Sequence, residues 1–125
     1  MKILFLSAFL PHTAADSAGV LDVAYWLEYL ASRHQVSLVS FVSRQDIPYI
    51  PRVRSLCANA QFVRQRVFDH RMVYLWETLT SFATRWPAIA WMTRSCSFRK
   101  CIRRMLKENT YDVAFVAFTQ TMQYL

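Results

Sequence analysis

At 125 residues, 54% apolar and 15% aromatic, the chain has room for one domain with a real core and none for a second catalytic domain, since chains of this size bury about two-thirds of their unfolded surface. That composition excludes intrinsic disorder. Fifteen Lys and Arg against eight Asp and Glu give a net charge of +7, which favours a negatively charged partner such as a nucleotide, a phospholipid or a nucleic acid.

Lys2 to Ser7 is a short, continuous apolar run, as expected of a strand covered on both faces in a parallel sheet. Lys2, the apolar run Ile3 to Leu10 and the small residues around Thr13, Ala14 and Ala15 also imitate a signal peptide. Against that, Pro11 closes the run and the next elements complete a β-α-β unit that needs this strand. Asp16 or Ser17 can cap the helix that follows. Val20, Val23, Ala24, Leu27, Leu30 and Ala31 recur at helical steps and form its core-facing stripe. Gln35 to Val42 is a second strand rich in β-branched residues. Such a strand, helix and strand make a parallel pair with a right-handed crossover.

Pro48 and Pro51 forbid a regular helix before Arg52, and a short helix follows. Ala60 to Arg66 reads as a more exposed strand near a sheet edge. Between His70 and Trp91 runs an aromatic helical stretch, with Tyr74, Trp76, Phe82, Trp86 and Trp91, broken at Pro87. Ser95 or Ser97 can cap the last helix, whose apolar stripe is Phe98, Cys101, Ile102, Met105 and Leu106. Val113 to Phe118 is another buried strand. The expected architecture is α/β: a Rossmann-like parallel sheet of about four strands, order 3-2-1-4, with helices on both faces.

The only glycine is Gly19, so a glycine-rich phosphate cradle has little to work with. Cys57, Cys96 and Cys101 are odd in number and lack the CxxC spacing of zinc or redox sites; buried free thiols in a reducing cytosol fit them. No apolar stretch reaches the length of a membrane span, and Met72 to Met92 is interrupted by Glu77, Arg85 and Pro87. No RNP, helix-turn-helix or zinc-finger pattern supports nucleic-acid binding. Nor does any Ser, His and Asp or Cys and His arrangement point to a nucleophile, and no metal or cofactor set is evident.

His12 follows the first strand, where an α/β sheet opens its crevice, so it can meet a phosphate or an acceptor hydroxyl or remain a solvated loop residue. Asp16, Ser17 and Gly19 stand at a helix start, a natural anion site, though capping alone explains the first two. Arg99, Lys100, Arg103, Arg104 and Lys107 form a basic face that fits either an anionic membrane surface or ordinary solvation over a sheet-packed helix.

The pieces "MKILFLSAFLPHTAADSAG", "LASRHQVSLVSF" and "NTYDVAFVAFTQTMQYL", in that order, resemble the amino-terminal domain of family 4-like GT-B glycosyltransferases over nearly the whole chain. The resemblance implies transfer of a sugar from a nucleotide-sugar donor to an acceptor in a cleft between two Rossmann-like domains. The first domain would receive the acceptor; the second, with its E-x7-E carboxylates and most donor contacts, would be missing here, together with the later strands of the first. Two departures stand out. The first of the family's paired glycines is Ala18, leaving Gly19, and the last strand's polar positions are Phe115 and Ala117, so no catalytic residue carries over. Thr119 and Gln120 are retained.

Three readings result, in this order: part of a glycosyltransferase inactive without a companion donor domain, a non-catalytic α/β binding module, and a peripheral membrane protein. The expected location is cytoplasmic, at the inner membrane face for the third. The last strand, lying so near Leu125, is expected to leave an open edge and an apolar patch that promote self-association.

Overall fold

The computed structural model describes residues 1–65, 67, 70–85, 87, 90–91 and 93–125. Four strands, β1 (Lys2–Ser7), β2 (Gln35–Val42), β3 (Asn59–Arg64) and β4 (Val113–Ala117), form one all-parallel sheet in the order β3-β2-β1-β4. The fold is Rossmann-like α/β, as expected. After Lys2, every residue of β1 is buried, because the strand is central and covered on both faces.

Side chains alternate across a strand, and the core divides accordingly. Ile3, Phe5, Val36 and Leu38 face one side, where α1 (Ala18–Ala31) supplies Val23 and Leu27 and α2 (Ile50–Leu56) supplies Val53. Leu4, Leu6, Val39 and Phe41 face the other, against Phe98, Ile102 and Met105 of α4 (Cys96–Glu108). Each such aliphatic or aromatic side chain, once fully buried, contributes about 1.5–3 kcal/mol. At the start of β1, the Lys2 amide donates to Asp112 Oδ2 at 2.7 Å while the Asp112 amide donates to the Lys2 carbonyl at 2.9 Å, which sets the β1–β4 register.

Several expectations are corrected. The helical region begins before Arg52: a 3-10 helix, Arg44–Tyr49, accommodates Pro48, and α2 takes Pro51 into its first turn, where a missing amide hydrogen costs nothing. The third strand is Asn59–Arg64, not Ala60 to Arg66, and Arg66 lies outside the described residues. In α1, Val20, Leu30 and Ala31 are only half-buried. Of the α4 stripe, Cys101 is half-buried and Leu106 exposed.

Ser95, not Ser97, caps α4, accepting from the Phe98 amide at 3.2 Å. The last strand stops at Ala117, and its first residues, Val113 and Ala114, are exposed because it forms the sheet edge. Phe118 then takes a positive φ of 72°, a conformation that is costly for an aromatic residue. The long aromatic segment forms α3 (Arg71–Thr84), closed by Arg85 in the left-handed region before Pro87 is reached; Trp86 lies outside the described residues.

The three cysteines are free thiols, but they are not all buried: Cys96 is exposed, and Cys57 and Cys101 are half-buried. Burial pushes the Cys57 thiol up from about 9 to about 11. At pH 8, therefore, iodoacetamide should label Cys96 well before Cys57, whose thiolate population is roughly a hundredfold below that of an ordinary cysteine. Peptide mass mapping reads the order, and equal rates would contradict it. The folded state holds the Cys57 proton more tightly than the unfolded chain. The associated stability is complete below about pH 9 and is lost as pH rises towards 11.

Candidate functional site

The crevice of such a sheet opens at the carboxyl ends of its strands, and two serines shape it here. Ser7 and Ser40 lie opposite each other in the β1–β2 register. Their hydroxyls donate to the Phe9 carbonyl at 2.6 and 3.1 Å. Both serines are fully buried, so this shared acceptor satisfies them and turns the chain out of β1 at a fixed angle. The loop it launches carries His12.

A cleft of about 330 Å³ lies beside this loop, lined by Phe9, His12, Asp16, Ser17, Gln45, Asp46 and Tyr49 among others. His12 is only 8% exposed. Its ring stacks on Tyr49, centroids 4.2 Å apart and 6° from parallel, and its Nε2 is 3.4 Å from Asp46 Oδ1. The other ring nitrogen, Nδ1, is shielded from solvent without a hydrogen-bond partner among the described residues. Asp46 is itself fixed, its Oδ2 accepting from the Ser43 amide at 2.9 Å and the Ser43 hydroxyl at 2.7 Å. Such a box ties off the start of the 3-10 helix. The cleft thus combines a flat aromatic wall with a histidine, two carboxylates and small polar groups, a set suited to a hydroxyl-rich ligand.

Of the residues singled out from sequence, His12, Asp16 and Ser17 come together in this cleft. Gly19, Thr119 and Gln120 do not line it. Ser17 occupies the N-cap of α1 without a side-chain capping bond. Gly19 has no positive φ, and a Cβ there would meet Phe118 at an ordinary 3.6 Å; the position packs against an aromatic ring and forms no glycine cradle for phosphate. Thr119 is exposed and Gln120 half-buried at the start of a 3-10 helix, Thr119–Tyr124, beyond Phe118. Phe118 touches the site's rim through an edge-on contact with Phe9, centroids 5.2 Å apart.

Asp46 and Tyr49, absent from the sequence reading, complete the site. The Ser43-x-x-Asp46 spacing is the capping-box signature and was the available signal for Asp46.

Arg99, Lys100, Arg103, Arg104 and Lys107 are all exposed on α4. The buried part of the apolar stripe opposite them, Phe98, Ile102 and Met105, is committed to the core. Among the described residues no group of three or more His, Cys, Asp or Glu side chains could hold a metal ion, and no helix is long and apolar enough to cross a membrane. Comparison with protein-family models, with curated proteins and with solved structures found no match to this chain.

Proposed function

We propose that this chain is the acceptor-side part of a cytoplasmic, nucleotide-sugar-dependent glycosyltransferase of GT-B type, working with a donor-binding domain. The observation that carries the reading is the cleft at the carboxyl ends of β1 and β2, with His12 held between Asp46 and Tyr49 and one buried ring nitrogen without a partner. The ordered resemblance of three sequence segments supports it, as does the Rossmann-like sheet. A sugar ring has an apolar face and a rim of hydroxyls; the exposed part of Tyr49, backed by His12, offers the first a surface, and Asp16, Ser17 and Asp46 offer the second partners. The chain's three glutamates, Glu28, Glu77 and Glu108, do not form an E-x7-E pair, so transfer requires carboxylates from elsewhere.

Titrating the isotope-labelled protein with UDP- and GDP-sugars and with simple glycosides should perturb amide signals of the loop after β1 and of the Arg44–Tyr49 helix, in the millimolar range, without turnover. The His12→Ala variant should weaken that response about tenfold. If no glycoside or nucleotide sugar perturbs these signals, the reading fails. Phe115 favours the second reading, a binding module without catalysis, because a phenyl ring stacked on Phe5 at 4.7 Å occupies a position that the resemblance assigns to a polar residue. Ligand-specific shifts in the cleft of the His12→Ala protein that match the wild type would favour neither.

A further inference from the structure

Helix α3 is amphipathic in the reverse of the usual sense. Met72, Leu75, Trp76, Leu79 and Phe82 fall at i, i+3, i+4, i+7 and i+10, so they share one face about 120° wide. All five are exposed; Met72 and Phe82 reach 77% and Trp76 66%. The single buried residue of the helix is Ser81. Its polar face can turn inward because its hydroxyls are satisfied within the helix: Thr78 donates to the Tyr74 carbonyl at 2.8 Å, Ser81 to Thr78 at 2.7 Å and Thr84 to Ser81 at 3.0 Å. Monomeric proteins in water rarely leave a contiguous apolar face uncovered.

The charges around this helix indicate what covers it. Arg71 and Arg85 are exposed at its two ends, as expected of cationic side chains that reach up to a headgroup layer while their neighbours sink below it. His70, the residue that opens α3, lines a second cleft of about 330 Å³ together with Arg44 and Arg64. Glu77 is the only acidic residue in the helix and is half-buried. The exposed basic face of α4 adds to the positive potential of a chain that carries +7 overall. A second protein surface would have to match both an apolar stripe and a cationic border; an anionic bilayer supplies both over any area.

We propose that α3 is a membrane-docking helix that lies in the plane of an anionic phospholipid surface, its Met72 to Phe82 stripe entering the headgroup and acyl boundary and its terminal Arg71 and Arg85 reaching the lipid phosphates. At 14 residues the helix is about 21 Å long and rests on the bilayer without spanning it. This docking does not depend on the glycosyltransferase reading and makes no use of the His12 cleft.

Flotation of the purified chain with phosphatidylcholine vesicles and with vesicles containing phosphatidylglycerol tests it. Binding should favour the anionic vesicles by at least about tenfold and weaken as salt rises. Trp76→Glu and Phe82→Glu, at exposed positions where circular dichroism should remain unchanged, should each lower partitioning by about tenfold or more. Arg71→Gln combined with Arg85→Gln should reduce the preference for anionic lipid and leave residual binding to neutral vesicles intact. Absence of binding to anionic vesicles, or binding unmoved by both glutamate variants, overturns the proposal. So does a concentration-dependent dimer that Trp76→Glu dissolves in a protein that does not float with lipid, since the stripe would then belong to a second copy.

Discussion

Phe98→Ala should destabilise the protein by about 3–5 kcal/mol, a large share of the roughly 5–15 kcal/mol that holds a domain folded. Phe98 is fully buried, stacked on Phe41 of β2 at 4.2 Å and packed against Tyr124 at 4.7 Å. Three parts of the chain meet at that ring. The Tyr124 hydroxyl in turn accepts from the Ser95 amide at 2.7 Å and donates to the Thr93 carbonyl, tying the final 3-10 helix to the start of α4. Removing the ring takes away transferred apolar area and leaves a cavity between α4 and the sheet that neither Phe41 nor Tyr124 can fill. Urea unfolding followed by circular dichroism reads the loss as a lower midpoint at an unchanged slope. A shift below about 1 kcal/mol would mean that α4 is less firmly seated than its contacts indicate.

The second large effect is expected at the candidate site. Asp46→Ala should cost about 1–3 kcal/mol, because one carboxylate serves three groups: the Ser43 amide, the Ser43 hydroxyl and His12 Nε2. Without it the Arg44–Tyr49 helix loses its cap, and an almost fully buried imidazole has neither nitrogen paired. The His12 side chain should then swing into the cleft or out to water, and ligand response should fall with stability. A double-mutant cycle with His12→Ala separates the two causes. A coupling of about 0.5–1 kcal/mol or more shows that the pair acts together, whereas additive effects would assign the whole loss to the cap. Amide exchange at residues 44–49 provides a local readout of the same change.

The strand framework was legible because its signal is local and redundant. Ile3 to Leu6 and Val36 to Val42 are continuous apolar runs, and such runs admit few placements other than the middle of a parallel sheet. The second strand needed only a few adjacent residues to identify, whereas Ser95 and Ser97 are alike as cap candidates by type, and the bond to the Phe98 amide decides between them. What escaped detection depends on partners distant in sequence. His12 was recognised, but the side chains that hold it, Asp46 and Tyr49, come from a segment whose two prolines argued for irregular chain. Ser7 and Ser40 look like polar interruptions in apolar strands; only the register makes them a pair.

Helix α3 shows a different limit. Its aromatic content was evident, and its apolar period is regular, yet period alone does not say on which side of a helix the protein lies. Counting Trp76 and Phe82 as future core residues would have been the ordinary inference, and the structure turns that face outward. Similarly, the apolar character of Val113 to Val116 suggested burial, but a strand at a sheet edge is covered on fewer sides than its composition anticipates.

The fastening of the Phe9 carbonyl by Ser7 and Ser40 has a consequence for communication across the molecule. Phe9 lines both the His12 cleft and the Arg44, Arg64 and His70 cleft, and its ring abuts Phe118 at the end of β4. With Gln45, which also lines both, it is a party wall, and its main chain is bolted and its side chain braced. A boundary fixed at both its main chain and its ring lets each room keep its own shape whatever fills the other.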